Sequence, residues 1–152
     1  GGDPGRVFVA GHSAGGYLTS MIGLDKRWLE PYGIDPDTAF VALIPYSGQV
    51  VTHFERRREL GLPDTQPLVD DMAPLSYVRP DCRPMLILSG DREREMLGRY
   101  EENAYFWRMM RVAGHPDVRI CEFDGFDHGN MPQAGHFVAV RYIREMERRM
   151  DR

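Results

Sequence analysis

The run Gly11-His12-Ser13-Ala14-Gly15 sets a serine between two glycines, each one residue away. A serine at the tip of a strained turn needs neighbours without side chains, so that the backbone can fold closely around it. Its hydroxyl then points outward as a nucleophile. The next amide, that of Ala14, would start a helix and face the negative charge that develops on a substrate oxygen. The competing reading is a glycine-rich strand-to-helix turn in which Ser13 only caps the helix.

A serine nucleophile needs a base to take its proton and an acid to orient that base. The segment Gly125-Phe126-Asp127-His128-Gly129 supplies a histidine in a loop, and Asp91-Arg92-Glu93-Arg94-Glu95 supplies three carboxylates in a turn. Chain order is then serine, acid, histidine. Of the other histidines, His53 and His115 fall in polar loops and His136 falls at the start of a helical pattern.

These groups must be carried by strands and helices. Arg6 to Gly11 (RVFVAG) contains the apolar run Val7 to Ala10, as expected of a strand covered on both faces. A helix follows from Ala14, with Ala14, Leu18, Met21 and Ile22 at helical spacing. Phe40 to Tyr46 and Pro84 to Ser89 read as buried strands, and the mixed run Val118 to Phe123 as a strand nearer the sheet edge. Helices are expected over Arg99 to Ala113, stopped by Gly114 and Pro116, and over Gly135 to Met150. Strands alternating with helices predict an α/β chain with a mostly parallel sheet and helices on both faces. In such sheets reactive groups gather at the carboxyl ends of the strands. Ser13, the acidic turn after Gly90 and His128 each lie just past such an end. Gln49 to Pro74 is too long for a simple connection and reads as a cap-like excursion over the sheet, shaping a pocket or serving as a plain surface insertion.

The 152 residues are the size of one domain, 1–152. A formal net charge of −4 argues against nucleic acid or an anionic membrane as the main partner. The run Arg56, Arg57, Arg58 reads as a solvated face. Cys82 and Cys121 have neither metal-ligand spacing nor the count of a disulfide framework, and read as buried thiols. The apolar runs are strand-length, so no membrane span is expected. Localisation stays open, the cytoplasm slightly favoured.

GHSAGG, the strand end SGDREREM and the loop GFDHG together resemble the esterase and lipase branch of the α/β-hydrolases. MAPLSYVRPDCRPMLILSGD is also similar to the approach to the acid strand in small carboxylesterases and related formamidases. The resemblance implies hydrolysis of small-molecule carboxylic esters through an acyl-enzyme, with amides such as aryl formamides as the alternative, and neither cofactor nor metal. It implies Ser13 as nucleophile, His128 as base and the Ala14 amide as half of an oxyanion hole, with His12 a filler. In this branch the acid stands three residues after the small residue that ends its strand, and counting from Gly90 gives Glu93. Asp is the commoner residue type, which puts Asp91 second and Glu95 third. Family members also carry four earlier strands and a histidine–glycine segment that completes the oxyanion hole. Twelve residues precede Ser13 here, so the chain reads as the C-terminal half. Two expectations follow: a degenerate hydrolase used for binding as the rival reading, and self-association or pairing with an N-terminal half through the Val7 to Ala10 strand.

Overall fold

Phe8–His12, Ala42–Tyr46, Met85–Gly90 and Val118–Phe123 form strands β1 to β4, all parallel and ordered β1-β2-β3-β4 across the sheet. The computed structural model describes residues 1–96 and 98–152. The helices are α1 (Ala14–Leu24), α2 (Pro36–Ala39), α3 (Phe54–Glu59), α4 (Arg99–Val112) and α5 (Met131–Met150).

Alternation along the central strands splits the core in two. Ile44 and Tyr46 of β2 and Leu86 and Leu88 of β3 face Met131, Ala139, Tyr142 and Met146 of α5. Leu43, Met85 and Ile87 point the other way, to Phe106 and Met110 of α4 and Leu24 of α1. Each such side chain taken out of water contributes about 1.5–3 kcal/mol, and β2 and β3 are buried along their whole length. The expected parallel sheet with helices on both faces is the observed architecture.

Four details differ from expectation. β1 pairs with β2 alone and is only half-buried, with Ala10 exposed, so it is not covered on both faces among the described residues. Leu18 stands 56% exposed on α1, which buries the expected Met21 together with Tyr17 and Leu24. α5 begins four residues earlier than its apolar pattern suggests, because Pro132 fits the first turn of a helix and Met131 is fully buried. In the arginine run, Arg56 and Arg58 lie at the surface and pair with Glu59 and Glu55, but Arg57 is buried at 5% exposure.

The excursion after β2 is tied at its base. Thr52 N–H donates to Leu68 O (2.9 Å), Thr52 Oγ1 to Asp70 Oδ1 (2.6 Å), and Leu75 N–H to Val50 O (2.9 Å). It therefore leaves the sheet and returns beside its own start, with α3 in between. Both cysteines are free; burial holds the Cys82 thiol up at about 12. Among the described residues no helix is long and apolar enough to cross a membrane.

Candidate active site

β1 delivers Ser13 to the carboxyl edge of the sheet. Its N–H donates to Tyr46 O at 2.9 Å, which locks the turn to the end of β2. Ser13 adopts φ 58° and ψ −115°, a positive-φ conformation that a residue with a side chain rarely takes. The turn is tight because Gly11 has no Cβ: one added there would lie 2.4 Å from the Gly15 carbonyl. The two glycines are not equivalent, however. A Cβ on Gly15 would meet nothing within 4 Å, since the crowded side of this contact is Gly11's.

Ser13 makes no side-chain capping bond to α1, which removes the capping reading. Its Oγ lies 2.9 Å from His128 Nε2, and His128 Nδ1 lies 2.9 Å from Glu95 Oε2. The tautomer that satisfies both contacts has Nδ1–H donating to the carboxylate and Nε2 accepting from the hydroxyl. His128 follows β4 in a turn where Asp127 Oδ1 accepts the Gly129 and Asn130 N–H groups. His12 adds a second restraint. Its ring lies 4.8 Å from the His128 ring, and its Nε2–H donates to His128 O at 2.9 Å. Burial, and then the neighbouring His128, push the His12 pKa down, which favours this neutral donor.

The carboxylate that meets His128 is Glu95, and the ranking of Glu93 first and Asp91 second is corrected. Counting residues from Gly90 assumes an extended chain. Here residues 91–95 coil, with Arg94 N–H and Glu95 N–H both donating to Asp91 O (2.9 and 2.8 Å). The coil turns Glu93 out to solvent and brings Glu95 back over the strand end. Gly90 leaves the room for it, since a Cβ there would lie 3.1 Å from Glu95 Cγ and 2.6 Å from Phe126 O. Asp91 serves the loop instead: Oδ1 accepts Glu93 N–H (2.8 Å) and Oδ2 accepts Gly125 N–H (2.7 Å). Those amides hold its carboxyl below the usual range, that of Gly125 most.

The Glu95 side chain is fully buried. Burial by itself would raise its carboxyl. Hydrogen bonds from His128 and Ser47, the charge of His128 and the Gly90 amide (3.1 Å) outweigh it and hold the group down at about 2. Ser47, one residue past the end of β2, is thus a site residue. Its Oγ donates to Glu95 Oε1, its N–H donates to Leu88 O at 2.7 Å, and its own φ is 43°. The buried Arg99 then donates to Ser47 O. Nothing local in the sequence marks Ser47; for Glu95 the available signal is Asp91, a residue that starts turns.

The remaining histidines lie apart from this row. His53 Nδ1 accepts Glu55 N–H at the start of α3, His136 sits on α5 beside Tyr46 (3.3 Å), and His115 is buried against Cys82 O (3.1 Å) rather than in a polar loop. Ala14 is exposed, and as the first residue of α1 its N–H has no acceptor within the helix. A hydroxyl, an imidazole and a buried carboxylate in this row, beside a free amide, can activate the hydroxyl for attack on an acyl carbon. Among the described residues no cluster of His, Cys, Asp or Glu could hold a metal ion.

No protein-family model matches the chain. Two proteins of Mycobacterium tuberculosis are similar in sequence: Esterase LipQ, 29% identical over 84% of this chain and 34% of that protein, and the probable carboxylic ester hydrolase LipM, 26% identical over 78% and 31%. The chain thus spans about a third of the length of the curated relatives it matches. Among solved structures, the apo form of Thermogutta terrifontis esterase 2 superposes with a TM-score of 0.67 at 23% identity, covering 91% of this chain and 55% of that one. An acylaminoacyl peptidase superposes at 0.58 with 21% identity, covering 84% and 20%. The chain has the α/β-hydrolase fold and corresponds to the C-terminal part of larger proteins that share it, esterases among them.

Proposed function

We propose that the protein is a serine hydrolase of carboxylic esters that works through an acyl-enzyme. The reading rests on one observation, the continuous row Ser13 Oγ, His128 Nε2, His128 Nδ1, Glu95 Oε2, with 2.9 Å at each hydrogen bond. Similarity to LipQ and LipM, an esterase and a probable carboxylic ester hydrolase, supports the substrate class.

In this reading Ser13 Oγ attacks the acyl carbon as His128 Nε2 takes its proton. Glu95 keeps the imidazole in the required tautomer and stabilises the imidazolium that forms. The Ala14 N–H faces the oxyanion. His128 then protonates the departing alcohol, and a water repeats the sequence to release the acid and restore Ser13. The test is turnover of p-nitrophenyl butyrate by the protein containing this chain. Ser13→Ala is expected to lower kcat by at least about a thousandfold; retention of most of the activity would refute the assignment.

A further inference from the structure

A second chemistry-bearing feature lies in the excursion that follows β2. Between α3 and the start of α4 is a cavity of about 400 Å³, within the roughly 300–1,000 Å³ range of small-molecule sites. Its apolar wall includes Val51, Phe54, Pro67 and Met96. The charged groups on it cancel, with one exception. Arg99 pairs with Glu102 at 2.9 Å, and Glu102 also accepts the Val50 and Val51 amides. Arg58 holds Asp64 through a fork, Nε to Oδ1 (3.1 Å) and Nη2 to Oδ2 (2.9 Å). Arg57 is the exception. It is buried at 5% exposure, and among the described residues it has no carboxylate within ion-pair reach.

Arg57 is half-satisfied in an informative way. Nη1 donates to the backbone carbonyls of Asp64 (2.8 Å) and Gln66 (2.7 Å), which fixes the plane of the guanidinium. Nε is sealed from solvent with no partner, and Nη2 has none among the described residues. A carboxylate oxygen is the size of a water and cannot reach the sealed Nε, so Nη2 is the donor left for one. Three guanidiniums, of Arg57, Arg58 and Arg99, against the two carboxylates of Asp64 and Glu102 leave this wall one positive charge in excess, which an anion would balance.

We propose that this cavity binds a small organic acid, its apolar body against Phe54 and Met96 and its carboxylate on Nη2 of Arg57. The acid is either the far end of a substrate that carries a carboxylate or a free carboxylic acid. In the first case the proposal rests on the ester-hydrolase reading; in the second it stands without it.

The probes are hexanoate and 1-hexanol, and the readout is the NMR signal of the Met96 methyl group, assigned with Met96→Leu. Hexanoate is expected to move it saturably and to bind at least about tenfold more tightly than hexanol, the advantage of a hydrogen-bonded charge. Arg57→Gln should remove that advantage, and Arg57→Lys, which keeps the charge without the planar donor that the two carbonyls fix, should fall between. Equal binding of acid and alcohol, or no saturable shift, would overturn the site even if the Arg57 variants fail to fold. Full-strength hexanoate binding by folded Arg57→Gln would also overturn it. Turnover of monomethyl adipate against methyl hexanoate separates the sources: preference for the half-ester, lost in Arg57→Gln, puts the carboxylate on the substrate, and equal turnover makes it a free acid. Ser13→Ala keeps hexanoate binding while losing turnover, so failure of the site and failure of the ester reading give different results.

Discussion

The hydroxyl of Ser47, just past the end of β2, donates to Oε1 of Glu95, whose other oxygen lies 2.9 Å from His128 Nδ1. One oxygen of the carboxylate is therefore anchored to the sheet, by Ser47 and by Gly90 N–H, and the other accepts from the imidazole and from Met96 N–H (3.0 Å). Removing this anchor should matter although Ser47 touches neither Ser13 nor substrate. Ser47→Ala is expected to lower kcat about tenfold or more, the equivalent of a lost hydrogen bond to a charge, with KM little changed. Steady-state ester kinetics measure both; an unchanged kcat would make the contact incidental.

The three carboxylates after β3 should separate cleanly. Glu95→Gln removes the charge that stabilises the imidazolium and should cost about 10³–10⁴ in kcat. Glu93→Gln, exposed to solvent, should stay within about twofold of the parent. Asp91→Asn weakens the tie to Gly125 in the loop before His128 and should lower thermal stability more than activity. A larger kcat loss in Glu93→Gln than in Glu95→Gln would reverse the assignment.

How far the site could be read from the sequence follows from the range of each interaction. Ser13 and His128 are legible because a strand, a turn and a helix start are local events, and alternating elements bring strand ends to one edge. The acid is not, because its place depends on one coil of residues 91–95 and on the gap above Gly90. Ser47 and Arg57 share that difficulty. Ser47 becomes a site residue only through Glu95. Arg57 looks like one of three surface arginines, and its burial comes from the loop carbonyls of Asp64 and Gln66. Likewise, β2 and β3 announce themselves as continuous apolar runs, whereas the half-buried state of β1 depends on how many strands flank it.

The depressed Glu95 carboxyl makes a statement about stability and pH. Its folded value, about 2, lies below the ordinary carboxylate value near 4.5. Its contribution is therefore full above the ordinary value and is lost as pH falls toward about 2. Urea unfolding of the parent and Glu95→Gln should show a gap on the order of 1.5–3 kcal/mol at neutral pH, shrinking below about pH 4.5. A gap that does not change with pH would mean the carboxylate is not held by these bonds.

The turn around Ser13 yields a contrast between its glycines. Gly11→Ala places a methyl 2.4 Å from the Gly15 backbone and should destabilise the fold by about 1–3 kcal/mol or more. Gly15→Ala meets open space at a helical position and should leave the fold intact, gaining about 0.5–1 kcal/mol. Thermal denaturation of the two variants compares them directly; equal losses would contradict the asymmetric packing.

The central claim, that Ser13 is an activated nucleophile, is tested most directly by covalent trapping. Treatment with a fluorophosphonate followed by peptide mass spectrometry should give one adduct, on Ser13, and the adduct should disappear in His128→Ala while circular dichroism shows the fold retained. Labelling of another serine, or undiminished labelling of Ser13 in His128→Ala, would contradict the account.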